Sequence, residues 1–138
     1  MEEGALRRRK AVVVDDDPVQ LRLLAGLLRR LEVEPRTFSG AEEALRGLDP
    51  QDPPDLLVTD LHMPGLDGWR FCRLLRSREY GPFNRVPLLV VSATFGGSEP
   101  PRIAEDLGAE GFLSAPVDAQ AFADLVENHD NYHPGPNI

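Results

Sequence analysis

The chain has 138 residues, 41% hydrophobic and 28% charged, with a formal net charge of -8. That suits one globular domain with its own core, and it argues against a uniformly basic nucleic-acid-binding face. A single cysteine, Cys72, excludes an internal disulfide and a cysteine zinc cluster; no apolar run reaches bilayer length and no signal-peptide core opens the chain, so the expected location is cytoplasmic, without a membrane span.

Residues 1–10, with Arg7-Arg8-Arg9-Lys10, read as a solvated basic leader or linker. Residues 11–14 are an apolar, β-branched run that ends in Asp15-Asp16-Asp17-Pro18, a strand feeding a helix. Asp17 is placed to cap that helix, and Pro18 suits its first turn. The helix runs to about residue 31, with Leu23, Leu27 and Leu31, flanked by Leu24 and Leu28, on an apolar face. Residues 34–38 form a weaker strand candidate because they include Pro35. Ser39 and Glu42 have the spacing of a capping box that opens a second helix, through residue 48. Residues 49–54 are a proline-rich loop.

The apolar run 56–58 predicts a buried strand that ends on one carboxylate, Asp60, before Pro64-Gly65 turn the chain. A third helix is expected over residues 68–77, burying Phe71, Leu74, Leu75 and Cys72, followed by a loop over 79–85. Residues 88–91 predict another buried strand, ending in Ser92-Ala93. Gly96-Gly97 and Pro100-Pro101 mark a long turn, then a helix with Ser98 or Glu99 near its cap that ends near Leu107-Gly108. Residues 111–113 are a short strand, and Asp118 caps a last helix carrying Phe122, Leu125 and Val126. The domain is expected to occupy residues 11–128, with 129–138 a frayed polar tail or linker.

Strand and helix thus alternate five times. The strands are mostly continuous apolar runs, as expected when helices cover both faces of a parallel α/β sheet with right-handed crossovers. No Gly-x-Gly-x-x-Gly follows the first strand, and no glycine- and lysine-bearing phosphate loop is present, which weakens dinucleotide and NTPase readings.

In such a sheet, ligands bind at the carboxyl ends of the strands. Taken singly, Asp60 is more often a cap or loop anchor, Asp15 to Asp17 loop and capping residues, and Ser92 a turn residue. Together at consecutive strand ends they are more specific. Three carboxylates there repel one another unless a cation binds, and hard oxygen donors suit magnesium. A carboxylate beside such a cation can attack a phosphoryl group.

Across residues 11–127 the sequence resembles the receiver domain of two-component response regulators. The carriers are Val12-Val13-Val14-Asp15-Asp16-Asp17-Pro18, Asp60-Leu61-His62-Met63-Pro64-Gly65-Leu66-Asp67-Gly68, Val91-Ser92-Ala93, Gly108-Ala109, and Gly111-Phe112-Leu113 followed by Pro116. The resemblance implies a flavodoxin-like, doubly wound (βα)5 fold with strand order 2-1-3-4-5. It implies that Asp60 accepts a phosphoryl group from a histidine kinase or phosphotransfer protein. Asp15, Asp16, Asp60 and the backbone carbonyl of His62 would hold magnesium. Ser92 would be the switch hydroxyl and Phe112 the switch aromatic, although Phe112 reads equally as a core aromatic of a short strand. His62 and Thr94 match positions that tune access of water to the acyl phosphate. The face formed by the fourth helix, last strand and last helix would contact a partner or a second copy. The chain would be no enzyme beyond self-phosphorylation and slow autodephosphorylation.

One departure stands out. The family's usual lysine before the last-loop proline is Ala115 here, which has neither donor nor charge. Losing a charge-assisted hydrogen bond costs roughly 1.5–3 kcal/mol, so the coupling of phosphate to switching is what this change affects. Arg102 is a candidate substitute cation. The readings are, in order, a phosphorylatable receiver with altered switching, a pseudo-receiver that binds partners without phosphate signalling, and an aspartate-based phosphohydrolase. His62, two places after Asp60, argues against the last, which resembles an Asp-x-Asp arrangement. With no output segment after the last helix, the chain reads as a stand-alone receiver or a piece of a longer protein.

Overall fold

The structure is a computed structural model, and it describes residues 8–92, 106 and 108–128. Of the expected helix over 98–107 only Asp106, which is helical, lies in that set; Thr94 and Arg102 fall outside it, as do the expected tail over 129–138 and most of the leader.

Five strands form one parallel sheet: β1 (Arg9–Val14), β2 (Val33–Phe38), β3 (Leu56–Thr59), β4 (Leu88–Ser92) and β5 (Gly111–Ser114). Their order is β2-β1-β3-β4-β5, as expected. Among the described residues four α-helices connect or follow them: α1 (Pro18–Arg30), α2 (Ala41–Gly47), α3 (Gly68–Leu75) and α4 (Ala119–Asn128).

Alternation along the strands sorts the core into two layers. Val12, Val14, Leu57, Leu88 and Val90 join Phe71, Cys72 and Leu75 of α3 and Ala41 and Ala44 of α2. Ala11, Val13, Leu56, Val58, Leu89 and Val91 join Leu24 and Leu28 of α1 and Phe122 and Val126 of α4. Both faces of the sheet are therefore covered, which is why its central strands carry no polar alternation.

Several local expectations need correction. β1 begins at Arg9, not residue 11. Arg9 and Lys10 are strand residues because their backbones pair with β2 and the loop before β3: Lys10 donates its N–H to Asp55 (2.8 Å) and its ammonium pairs with Asp52. Pro35 is accommodated because β2 is an edge strand bonded only to β1. The capping box is shifted by one residue: Gly40 is the N-cap, and Ser39 donates both its N–H (3.2 Å) and its hydroxyl (2.6 Å) to Glu43 rather than Glu42. α3 ends at Leu75, and the expected loop after it holds a 3₁₀ turn, Arg78–Phe83. Leu74 is only half-buried.

The buried stripe of α1 is also rotated. Leu24 and Leu28 are sealed in the core, whereas Leu23 is 42% exposed. Fourfold leucine spacing recurs at two adjacent registers in this helix, and the sequence does not distinguish them. Leu28→Ala should therefore cost about 2–5 kcal/mol by urea unfolding, and Leu23→Ala about 0.5 kcal/mol or less. Equal losses would contradict the observed face.

Candidate acidic site at the carboxyl edge of the sheet

The site follows from strand register. β1 and β3 pair in parallel, Val14 opposite Thr59, so the residues one step on, Asp15 and Asp60, emerge side by side. The Asp60 N–H donates to the Val14 carbonyl (3.0 Å), and the Asp15 N–H to the Phe38 carbonyl (3.2 Å), tying both to this edge. Ser92 closes β4 at the same edge, and its carbonyl accepts from the Ala115 N–H (2.9 Å). The buried polar or charged residues among those described are Asp15, Thr59 and Ser92, and all three belong here.

Carboxylate oxygens of Asp15, Asp16 and Asp60 lie within 4.8 Å of one another. Burial pushes the Asp15 carboxyl up to about 7; the Asp17 N–H on its Oδ1 (2.9 Å) opposes this, and the neighbouring Asp60, Asp16 and Asp17 charges add to it. Burial likewise raises Asp60, against the pull of the Leu61 and His62 backbone N–H groups. These are hard oxygen donors carrying excess negative charge, the donor set that a small divalent cation takes. Asp17 caps α1 as expected, accepting from the Val19 N–H (2.9 Å), and Asp67 caps α3, accepting from the Arg70 N–H (2.9 Å).

The remaining sequence candidates separate. His62 is exposed, and its N–H serves the Asp60 carboxylate. Phe112 lies opposite Val90 and packs, half-buried, on the core layer under α2 and α3. The Ala115 side chain packs on the other layer, with Val117 and Leu125. Cys72 is sealed in the core and its thiol is pushed up to about 12, as befits a packing residue.

Sequence reading quoted Gly68 only as the end of a matching run and the start of a helix, and missed its steric role. A Cβ there would stand 2.0 Å from the Asp60 carbonyl oxygen and 2.6 Å from Leu61 Cα. The glycine lets α3 start directly against the Asp60–Leu61 peptide, where its N–H donates to the Leu61 carbonyl (2.9 Å). Its place at the start of a capped helix was the available signal.

Comparison with known proteins agrees with this geometry. The family described as "Response regulator receiver domain" matches residues 11–127. The chain belongs to that family. This receiver domain is 31% identical over 129 residues to hybrid signal transduction histidine kinase E of Dictyostelium discoideum, covering 91% of the chain and 7% of that protein. It is 31% identical over 121 residues to the sensory/regulatory protein RpfC of Xanthomonas campestris pv. campestris, covering 88% of the chain and 16% of that protein. The chain thus spans a small part of these relatives. A crystal structure of a putative response regulator from Chloroflexus aurantiacus superposes with a TM-score of 0.77 at 28% identity, covering 88% of this chain and 97% of that one. Receiver domains are signalling modules of two-component systems that work with histidine kinases or phosphotransfer proteins, and an acidic cluster of this kind is typical of their magnesium site. No helix among the described residues is long and apolar enough to cross a membrane.

Because Asp15 binds its proton more tightly folded than unfolded, the metal-free protein loses stability as pH rises from about 4 to about 7. Asp15→Asn, which keeps the acceptor for the Asp17 N–H, should stabilise the metal-free chain by about 1 kcal/mol or more at pH 8 and negligibly at pH 4. Thermal unfolding in chelator at both pH values measures it, and a pH-independent difference would contradict the origin given. For Gly68→Ala, the helix-propensity gain of about 1 kcal/mol is outweighed by overpacking of about 1–3 kcal/mol. Net destabilisation in urea is the expected result.

Proposed function

We propose that this receiver domain accepts a phosphoryl group on Asp60 from a phosphohistidine donor, a histidine kinase or phosphotransfer protein, and thereby changes its interaction with a partner. The observation that carries this reading is the convergence of Asp15, Asp16 and Asp60 at the carboxyl edge of the sheet. In the transfer, an Asp60 carboxylate oxygen bonds to phosphorus, the bond from phosphorus to the donor imidazole breaks, and the imidazole leaves with that electron pair.

Asp15, Asp16, Asp60 and the His62 carbonyl would hold magnesium, which when bound offsets the negative charge between carboxylate and phosphoryl oxygens. The chain's own residues do the rest. Leu61 and His62 N–H groups stabilise the ionised Asp60 carboxylate. Ser92, at the end of β4, is the hydroxyl that donates to the new phosphoryl group. Phe112, on the adjacent strand, is the aromatic that responds, and Thr94 tunes water access. The switch is a shift between two populations of the domain rather than a newly created state. The face that includes β5 and α4 passes it to a partner or a second copy. The working unit, expected over residues 11–128, takes in Arg9 and Lys10 as the start of β1, and acts in the cytoplasm as a stand-alone receiver or as one module of a longer protein.

A second reading, the pseudo-receiver that binds partners without phosphate signalling, draws support from Ala115. Its side chain joins an apolar layer, so this position offers no cation to the phosphoryl group. Intact mass after incubation with a small-molecule phosphodonor and magnesium separates the readings. The native chain should gain one phosphoryl group and Asp60→Asn none. No gain in the native chain, with magnesium binding demonstrated separately, would leave the pseudo-receiver.

A further inference from the structure

Thr59 is one of the buried polar residues at the acidic edge, and the proposed chemistry leaves it without a task. Its hydroxyl donates to the carbonyl oxygen of the next residue, Asp60 (2.9 Å). That carbonyl and the Leu61 N–H belong to one peptide unit, which is planar and resists twisting. The other end of the unit, the Leu61 N–H, donates back to Asp60 Oδ1 (2.7 Å). The carboxylate and the Thr59 hydroxyl are therefore fastened to opposite ends of one rigid plate.

The plate is held at other points too. Upstream, the Asp60 N–H is anchored on the Val14 carbonyl of β1 (3.0 Å). Downstream, the Leu61 carbonyl accepts from the Gly68 N–H (2.9 Å), and α3 abuts the Asp60 carbonyl so closely that a Cβ at Gly68 has no room. These contacts fix where the plate lies. The remaining freedom is rotation of the plate about its chain axis, which would swing the carbonyl out and the Leu61 N–H away from Oδ1. The Thr59 hydroxyl opposes that rotation directly. A valine there would fill the same volume and leave the carbonyl without this donor.

We infer that Thr59 is a positioning residue: through the Asp60–Leu61 peptide its hydroxyl aims the Asp60 carboxylate into the cluster with Asp15 and Asp16. The magnesium part of this inference rests on the reading of Asp60 as a metal ligand; the hydrogen-bond part does not. Thr59 touches no reacting atom, and it acts through the Leu61 N–H.

The test compares Thr59→Val with Thr59→Ser. Valine keeps the volume and loses the hydroxyl; serine keeps the hydroxyl and loses a methyl from the core. Two readouts are taken on each chain: the Leu61 amide proton shift in metal-free protein, and magnesium affinity from the fluorescence of Trp69, the chain's one tryptophan, in the first turn of α3. For Thr59→Val the Leu61 amide should move upfield, and magnesium binding should weaken about fivefold, the worth of one neutral hydrogen bond. Thr59→Ser should unfold at lower temperature than wild type yet keep the wild-type amide shift and affinity. If Thr59→Val retains the wild-type Leu61 amide shift, the positioning role is overturned. If both variants lose affinity in proportion to lost stability, with the amide unmoved, Thr59 is a packing residue and the inference again fails. A shifted amide in a chain whose wild type binds no magnesium would uphold the positioning role and overturn the metal reading instead.

Discussion

Repulsion among three carboxylates at one strand edge is the constraint on which the rest of this structure turns. Parallel pairing of β1 with β3 makes it unavoidable, because the register that buries Val14 against Thr59 delivers Asp15 and Asp60 to adjacent positions one residue later. The fold answers part of the cost with backbone donors: the Asp17 N–H on Asp15, and the Leu61 and His62 N–H groups on Asp60. These do not restore ordinary acidity to either group. Among the described residues, the charged groups that act on Asp15 are all acidic, and the chain's one lysine, Lys10, pairs with Asp52 in the loop that enters β3. The edge thus carries crowded negative charge from hard oxygen donors, the setting that favours a small divalent cation.

The opposite end of the sheet has the reverse character. There Arg76, at the end of α3, donates to the carbonyls of Phe83 (3.3 Å), Asn84 (2.9 Å), Val86 (2.9 Å) and Gly108 (2.9 Å). Its guanidinium lies 3.7 Å from Glu110, whose carboxylate accepts from the Leu88 N–H (2.7 Å). One side chain thereby joins α3, the 3₁₀ turn, the entry to β4 and the turn before β5, with its planar fork satisfied at several points. The charges here are paired and partly buried; those at the acidic edge are like-signed and crowded. One end of the sheet is thus cross-linked by paired charge, and the other holds like charges held close together.

Much of this was legible in the chain itself. The alternation of apolar runs with helical patterns forecast the layers, and Asp17 and Asp118 marked helix starts where the structure has them, Asp118 accepting from the Ala121 N–H (2.9 Å); Gly108 has φ +71°, a conformation that favours glycine. The misses share a cause. Leu23 and Leu24 both fit a helical repeat, and only the position of the sheet beneath α1 chose between them. Glu42 and Glu43 both suit a cap for α2, and the choice went to the one that the turn at Gly40 brought under Ser39. Arg9 and Lys10 carry charge that suggests a solvated leader, yet pairing with β2 made them strand.

The sequence by itself determined the family, the order of elements and the acidic residues at the strand ends, because these depend on local pattern and short spacing. Tertiary structure alone decided how close Asp15, Asp16 and Asp60 stand and which way their acidity moves, since both depend on register between strands far apart in the chain. It alone revealed that Gly68 abuts the Asp60 peptide and that the Thr59 hydroxyl is bonded to its carbonyl. A missing Cβ and a buried hydroxyl carry no periodic signal, and their meaning comes from the atoms that the fold sets against them.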